Sequence, residues 1–265
     1  MTELVASSAD GHLVRALDEG DGPNVLVVHP GGGGASAWDA VARLLTDDYR
    51  VVRVRRRIYE VGAEIVLPHS MRVEAADIVA VARVLDGPTL LVGHSSGAVA
   101  ALEAALLDPS PFGGMVLYEP PIPTRELVAG AAGVRARALL EAGEPAEAMR
   151  VHMRDIVRMP SAEVDAMFAV PRVRELFAKA AAAQIADSEA LDALGLGIGR
   201  FASLDLPATL IEGDQSPAHL RERLADLAAT LPDARVVTLA GHGHVASMTA
   251  PGLLAEVIRE AVTRV

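Results

Sequence analysis

The sequence predicts an α/β fold built on a mostly parallel, doubly wound sheet, and three observations support this prediction. Short apolar runs alternate with longer helical patterns along most of the chain, as in strands joined by crossover helices. Residues 25–29 (VLVVH) form an apolar run that is typical of a strand covered by helices on both faces. The 265 residues are 51% hydrophobic and 22% charged, so the chain can form a large core and is not disordered.

The first 121 residues are predicted to alternate strands with helices. Residues 3–18 indicate a hairpin that turns at Asp10-Gly11, a favourable turn pair. The next elements are a strand at 25–29, a helix at 36–46 with Ser36 as N-cap, a strand at 51–54, a helix at 72–85, a strand at 89–93, a helix at 96–107 and a strand at 114–119. Prolines after the last two elements end them, because proline cannot continue either one.

The strand pattern disappears between residues 122 and 203. This stretch contains helical segments rich in Ala, Arg, Glu and Met, separated by breaks at Gly143, Pro145, Pro160 and Pro171. The alternation resumes with a strand at 208–211, a helix at 217–231, a strand at 235–239 and a last helix that begins at Pro251. We therefore expect a core formed by residues 1–121 and 204–265, interrupted by a helical layer at 122–203.

Composition limits the partners of this chain. Its 35 acidic and 24 basic residues give a net charge of −11, which disfavours nucleic acids and anionic membranes as partners. The sequence has no cysteine, which excludes disulfides, thiolate nucleophiles and cysteine-based metal sites. A small-molecule substrate is the expected partner, and the sequence does not indicate an oligomeric state.

Neither a targeting signal nor a membrane segment is apparent in the sequence. The first residues, MTELVASSAD, lack a basic region followed by an apolar stretch. The longest uncharged run, residues 236–255, contains His242, His244 and Pro251, unlike a membrane-spanning helix. We expect a cytoplasmic protein.

The most informative motif is Gly93-His94-Ser95-Ser96-Gly97, which lies between an apolar strand and an alanine-rich helix. A nucleophile elbow has this construction, because its serine occupies a strained strand-to-helix turn that only small neighbours allow. The backbone N–H of the next residue, Ser96, then points towards a developing oxyanion from the helix N-terminus. The motif predicts Ser95 as a nucleophile.

A second motif, His29-Pro30 followed by glycines at 31–34, comes directly after the first buried strand. Consecutive glycines leave backbone N–H groups unobstructed, which suits the other half of an oxyanion hole. A flexible loop and a dinucleotide-binding loop are alternatives. The dinucleotide fingerprint fails at its third glycine, where Ser36 stands, and no acidic residue ends the following strand.

A third motif, Gly241-His242-Gly243-His244, follows the last predicted strand. A histidine in a glycine-flanked loop at this place could act as the base for Ser95. The two histidines could instead form a metal pair, but no further ligand accompanies them, so we expect no metal or cofactor. The remaining histidines outside these motifs are expected at the surface, and they are His12, His69, His152 and His219.

With these motifs in this order, the chain resembles the α/β-hydrolase superfamily almost from end to end. The helical stretch at 122–203 matches the place of the family's cap, and the run from HSSGAVAALEAAL to VLYEPP is similar to small actinobacterial-type hydrolases. The resemblance implies Ser95 as nucleophile and His244 as general base. It also implies that Gly31, Gly32 and Ser96 donate the oxyanion N–H groups.

The chain departs from the family pattern at the acid of the triad. The usual Gly-x-x-Asp spacing places Ser216 where the acid is expected. Asp214 could serve if the loop were shifted by about two residues, although it could also be a turn or N-cap residue. Glu119 ends the strand GMVLYE at the site used by family members whose acid comes one strand earlier, although it could also pair with the arginines at 53–57. We favour Glu119.

A second departure lies after the strand at 51–54, where the chain has RRRIYE in place of the family's acid and Arg-Gly pair. Residues Arg55 to Arg57 either recognise an acidic group on a substrate or pair with the acidic surface, and we favour surface pairing. The combined prediction is a serine hydrolase acting on a carboxylic ester, lactone or thioester through an acyl-enzyme. A cyclase, lyase or acyltransferase on the same scaffold, and a protein that only binds a ligand, remain alternatives.

Overall fold

The computed structural model describes residues 1–60, 65 and 67–265, and it confirms the predicted fold class. Eight strands of this described part form one sheet in the order β1-β2-β4-β3-β5-β6-β7-β8, antiparallel at β1–β2 and β2–β4 and parallel elsewhere. The strands are β1 (Thr2–Ser7), β2 (Leu13–Glu19), β3 (Asn24–Val28), β4 (Arg50–Val54), β5 (Thr89–His94), β6 (Phe112–Tyr118), β7 (Ala208–Gly213) and β8 (Ala234–Leu239). The carboxyl ends of the parallel strands therefore meet at one edge, where ligands bind in such folds.

Helices cover both faces of the sheet. They are α1 (Asp39–Leu45), α2 (Met71–Arg83), α3 (Ser96–Leu107), α4 (Gly130–Glu141), α5 (Pro145–Val151), α6 (Ser161–Ala169), α7 (Pro171–Asp192), α8 (Ala218–Ala228), α9 (Ala246–Thr249) and α10 (Pro251–Val262). No helix of the described residues has both the length and the apolar character needed to cross a bilayer.

Strand β3 illustrates why its sequence is continuously apolar. Leu26 and Val28 pack into a core cluster with helices α2, α3 and α8, whereas Val25 and Val27 pack into a second cluster with α1 and α10. Because successive side chains of a strand point to opposite faces, a strand between two helical layers has no solvated face. The prediction that this strand is buried on both faces is confirmed.

The predicted N-cap at Ser36 is wrong. Residues Ala35–Trp38 form a 3₁₀ turn, and α1 begins only at Asp39. Trp38 is almost completely buried in the α1/α10 cluster, whereas Ser36 faces solvent. Burial of the large indole therefore determines this turn, and it outweighs the capping preference of a single serine.

The segment between β6 and β7 lies outside the sheet, because Met115 of β6 pairs directly with Ala208 of β7. It contains helices α4 to α7, which enclose apolar clusters of their own. The end of α7 joins the main core through Ala190 and Leu191. This helical segment is therefore packed onto the sheet domain by apolar contacts.

The side chains of two of the histidines predicted at the surface are buried. His152 is 6% exposed at the start of a π-helical turn (His152–Ile156), with its Nδ1 3.4 Å from the Ser188 hydroxyl of α7. The His69 side chain is 3% exposed and lies 3.1 Å from the Glu74 carboxylate. Their sequence surroundings are polar or helical, which does not indicate that these side chains are buried.

Candidate active site

Ser95 occupies the sharp turn between β5 and α3. Its φ of 53° and ψ of −129° are unusual for a residue with a side chain, and such conformations persist only where the surrounding structure enforces them. The Ser95 N–H donates a hydrogen bond to the Tyr118 carbonyl at 2.9 Å, which fixes the turn to the neighbouring strand. The backbone of Ser95 therefore has the strained strand-to-helix geometry that a nucleophile elbow requires.

The glycine after Ser96 is required by a close approach of two backbones. A Cβ atom on Gly97 would lie 2.3 Å from the His29 carbonyl oxygen and 2.5 Å from that of Val28. The absence of this atom lets the N-terminus of α3 lie directly against the chain that leaves β3. The glycine loop and the elbow, which the sequence separates by more than 60 residues, are thus neighbours.

The glycine loop is also contacted from two other directions. A Cβ on Gly31 would lie 2.8 Å from Gln184 Oε1 of α7 and 2.9 Å from the Tyr59 hydroxyl, and Gln184 also reaches the position of a Cβ on Gly32. His29 precedes the loop. Burial and the nearby Arg56 lower its pKa to about 4, so its ring is neutral and donates from Nδ1 to the Pro30 carbonyl.

His244 is bound to Glu119. Its Nδ1–H donates to Glu119 Oε2 at 2.6 Å, and Glu119 Oε1 accepts the Gly213 N–H at 2.7 Å. The Glu119 side chain is fully buried, and its φ of 42° turns it away from the end of β6 towards this pair of donors. Both carboxylate oxygens are therefore satisfied, one of them by the imidazole.

Two aromatic side chains position the loop that contains His244. His94, the residue before Ser95, donates from Nε2 to the His244 carbonyl at 2.9 Å and stacks on Tyr118 with a centroid distance of 4.5 Å. The Tyr118 hydroxyl donates to the Gly243 carbonyl and accepts the Ala246 N–H. Burial, together with the adjacent His244, lowers the pKa of His94 well below its usual value, so it remains neutral.

Sequence reasoning did not find the roles of His94 and Tyr118. The only signal was their position, because each directly precedes a candidate catalytic residue, Ser95 or Glu119. Since flanking residues usually serve the strand itself, position alone did not indicate that their side chains point towards the late histidine loop.

The structure does not bring Asp214 to the imidazole that binds Glu119. The Asp214 carboxylate is exposed and accepts the Gly241 N–H at 2.8 Å, which closes the turn after β8. Ser216, at the usual acid position, is buried, and its hydroxyl has no hydrogen-bond partner among the described residues. His242 supports the same loop through its carbonyl, which accepts the Gln215 N–H.

Two of the arginines after β4 pair with carboxylates outside the Ser95–His244 region. Arg55 pairs with Glu3, and Arg57 pairs with Asp10 and Asp77. Arg56 is completely buried behind the elbow, so the prediction of surface pairing does not hold for this residue.

Comparisons with known proteins agree with this architecture. A family model described as the alpha/beta hydrolase family matches residues 25–257. The chain is 34% identical over 104 residues to the uncharacterized hydrolase YraK of Bacillus subtilis (strain 168), an alignment that spans 38% of each protein.

Solved structures with the same fold align over nearly the whole chain. An alpha/beta hydrolase from Sphaerobacter thermophilus is 27% identical, with 98% of this chain and 100% of that one covered and a TM-score of 0.84. A thermophilic esterase from Thermogutta terrifontis is 20% identical over 100% and 99% of the two chains, with a TM-score of 0.76. An enol-lactonase from Burkholderia xenovorans LB400 is 18% identical over 98% and 100%, with a TM-score of 0.70. Because the family model matches most of its length, the chain belongs to the alpha/beta hydrolase family.

Proposed function

We propose that this hydrolase cleaves a carboxylic ester, lactone or thioester with Ser95, His244 and Glu119 as its catalytic triad. The observation that carries the proposal is the 2.6 Å hydrogen bond from His244 Nδ1 to the buried Glu119. The loop of His244 is tied to the strained turn of Ser95 through His94, the preceding residue, which donates to the His244 carbonyl. A base oriented by a carboxylate and a serine exposed on an elbow are the two requirements of acyl transfer by serine.

The hydrogen bond to Glu119 determines which nitrogen of His244 is free. With Nδ1 protonated and donating to the carboxylate, the lone pair on Nε2 can accept the Ser95 proton as Oγ attacks the substrate carbonyl. The resulting imidazolium returns that proton to the leaving alkoxide or thiolate as the carbonyl–leaving-group bond breaks. Water then loses a proton to Nε2 and attacks the acyl-Ser95 carbonyl. As the acyl–Oγ bond breaks, Nε2 returns this proton to Ser95 Oγ, which releases the carboxylic acid and restores the serine hydroxyl.

The oxyanion of each tetrahedral intermediate is proposed to rest on backbone N–H groups from two segments. Ser96 supplies one as the first residue of α3, where helix N–H groups lack intrahelical partners. Gly31 supplies the other, with Gly32 as the alternative donor. The contact of Gly97 with the Val28 and His29 carbonyls supports this arrangement, because it places both segments side by side.

Glu119 is the proposed acid because its contacts match the role and those of Asp214 do not. A triad carboxylate must be buried and must accept from the base, and Glu119 meets both conditions. Asp214 is exposed and accepts a backbone N–H. We infer that the acid function resides at the end of β6, and not at the usual position after β7, where Ser216 stands.

The helical segment at 122–203 is proposed to act as a cap that restricts access to Ser95. Gln184 of α7 lies against Gly31, so this segment extends over the glycine loop. Esterases and an enol-lactonase share this fold, which makes ester and lactone carbonyls the first electrophiles to test. The core would then consist of residues 1–121 and 204–265.

A fluorophosphonate probe tests the nucleophile. The wild type should gain the mass of one phosphonyl group, and Ser95→Ala should gain none, as measured by intact mass spectrometry. Ser216→Ala is the matched control, because it removes a buried hydroxyl near the same loops without touching the proposed triad, and it should label like the wild type. An unlabelled wild type, or a labelled Ser95→Ala, would refute the proposal.

Hydrolysis is tested with p-nitrophenyl esters of graded acyl length. The expected result is a burst of p-nitrophenol equal to the enzyme concentration or a steady turnover, with an optimum acyl length that reports pocket depth. Ser95→Ala should abolish the enzyme-dependent rate at every length. A rate that persists in Ser95→Ala would show that another group performs the reaction.

A further inference from the structure

A buried polar cluster lies behind the nucleophile elbow, and the proposed triad does not use it. We call it the Arg56 cluster; its members are Arg56, Tyr59, Glu74, Ser96 and Asp187. The side chains of Arg56 and Asp187 are both 0% exposed, and that of Glu74 is 2% exposed. Three charged groups are thus removed from water beside the proposed oxyanion donor Ser96.

Arg56 uses its guanidinium to join separate elements. Nε donates to Glu74 of α2 at 2.9 Å, Nη2 donates to Asp187 of α7 at 2.7 Å, and Nη1 donates to the Ser96 hydroxyl at 2.8 Å. Nη1 also lies 3.4 Å from the His29 carbonyl, at the start of the glycine loop. One side chain therefore contacts both segments to which the oxyanion donors are assigned.

Asp187 completes the connection from the helical segment. Its Oδ1 accepts from Arg56, while its Oδ2 accepts from the Ser96 hydroxyl at 2.6 Å and from the Tyr59 hydroxyl at 2.7 Å. The Ser96 hydroxyl thus accepts from Arg56 and donates to Asp187, which fixes its rotamer and holds the first turn of α3. Charge-assisted bonds of this length are the stronger class of hydrogen bond.

The same cluster reaches the other side of the oxyanion site. A Cβ on Gly31 would lie 2.9 Å from the Tyr59 hydroxyl and 2.8 Å from Oε1 of Gln184, which precedes Asp187 by three residues on α7. Any displacement of α7 would therefore move the contacts of Gly31 and Ser96 together. The two proposed donors share one set of supports.

Stability alone is a poor explanation for this arrangement. Taking an arginine and two carboxylates out of water has a large desolvation penalty, and well-packed apolar residues often replace such groups without loss. Burial works against the charge of Glu74, yet Arg56 and His69 outweigh it and lower the pKa of this carboxyl to about 2. The Glu74 carboxylate thus remains ionised, and the directional bonds of the cluster specify position in a way that apolar packing cannot.

We propose that Arg56 and Asp187 are positioning residues that hold the Ser96 and Gly31 amides in register, so that the oxyanion site is complete only when α7 is docked on the sheet domain. This inference rests on the proposed serine-hydrolase function. It assigns to the helical segment a part in the chemistry of the site, beyond restriction of access.

The test compares kcat and KM for a p-nitrophenyl ester in Asp187→Asn, Ser96→Ala and the double variant. Ser96→Ala keeps its backbone N–H and loses only the hydroxyl that the cluster holds. We expect kcat to fall about 10- to 100-fold in Asp187→Asn with KM within about threefold, because a misplaced donor weakens the transition state more than the bound substrate. The double variant should be no slower than the slower single variant, because both act through one contact.

Asp192→Asn is the matched control on the same helix. Asp192 accepts the N–H groups of Val128, Ala129 and Gly130 and so has a structural task of its own, in bonds that involve no member of the Arg56 cluster. Its substitution should lower the melting temperature and leave kcat within about twofold of wild type, since the oxyanion contacts stay intact. A purely structural role of Asp187 would make the two variants alike.

The proposal is overturned if Asp187→Asn behaves like Asp192→Asn, if its loss appears in KM, or if the Asp187 and Ser96 effects add. Should Asp187→Asn fail to fold, Ser96→Ala and Tyr59→Phe remove only neutral hydroxyls and test the same bonds, with a fall in kcat expected for both. Ser95→Ala separates the two levels of inference. If it remains active, the proposed function fails; if it is inactive while the cluster variants keep wild-type kcat, only the positioning proposal fails.

Discussion

Replacing Glu119 by glutamine tests the acid of the triad with the smallest possible change. The amide has the shape of the carboxylate, but one of its ends donates where both carboxylate oxygens accept. In the structure those oxygens accept from His244 Nδ1 and from the Gly213 N–H. An amide that keeps its oxygen on Gly213 presents its NH₂ group to Nδ1, whereas the opposite orientation places that group against a backbone donor.

The first orientation forces His244 into the wrong tautomer. Nδ1 must then accept, so Nε2 carries the proton and cannot take one from Ser95. The equivalent change in a well-studied serine protease lowers kcat about 10⁴-fold, which corresponds to about 5.5 kcal/mol of activation free energy. In the second orientation the amide NH₂ group faces the Gly213 N–H, so two buried donors oppose each other, and the free energy of unfolding falls by about 1–3 kcal/mol. We therefore expect kcat to fall about 10³- to 10⁴-fold in Glu119→Gln, with a small loss of stability.

The assay is the steady-state hydrolysis of a p-nitrophenyl ester by Glu119→Gln and Asp214→Asn, with urea unfolding as the measure of stability. Asp214→Asn should keep kcat within about threefold, because its carboxylate contacts the Gly241 N–H and its loss removes at most about 1 kcal/mol of turn stability. A larger loss in Asp214→Asn would assign the acid to Asp214. Equal, small losses in both variants would refute the triad reasoning for either carboxylate.

Three further predictions concern packing and pH. Gly97→Ala should lower kcat by at least about 10²-fold, since its Cβ would lie 2.3 Å from the His29 carbonyl oxygen and must displace the elbow or the glycine loop. The control is Gly252→Ala in α10, where a Cβ would have no atom within 4 Å, so this change should be neutral or slightly stabilising. Similar kcat values in Gly97→Ala and Gly252→Ala would contradict this prediction. Burial lowers the pKa of His152 from 6.5 to about 4, so between these pH values the unfolded chain binds a proton at this ring and the folded chain does not. The free energy of unfolding therefore decreases as the pH falls from 6.5 towards 4. His152→Phe should therefore reduce the difference in unfolding free energy between about pH 7.5 and about pH 5 by about 2 kcal/mol, and an unchanged difference would show that this ring is protonated in the folded state. Phe201→Ala should reduce the free energy of unfolding by about 3–5 kcal/mol, because this ring is fully buried in the main core. Leu176→Ala, at a side chain that is 66% exposed, should change it by less than about 0.5 kcal/mol, and comparable losses would mean that the Phe201 site is not well packed.

Sequence patterns located the elements because those patterns are local. Helix α3 has the predicted limits, Ser96–Leu107, since the elbow fixes its start and Asp108-Pro109 its end. The central strands also lie where continuous apolar runs predicted them. Ser36 shows the limit of such reasoning, because its capping preference is weaker than the burial of Trp38 two residues later.

The sequence by itself determined the fold class, the strained position of Ser95 and the order of the three motifs, because each follows from neighbouring residues and their spacing. Only the tertiary structure decided which carboxylate meets His244. Glu119 and Asp214 follow adjacent parallel strands at the same edge, and the difference lies in loop backbone, such as the φ of 42° at Glu119. The tertiary structure alone also brings Arg56 to Asp187, which are 131 residues apart in the sequence. An ion pair between distant segments leaves no periodic pattern from which it could be predicted.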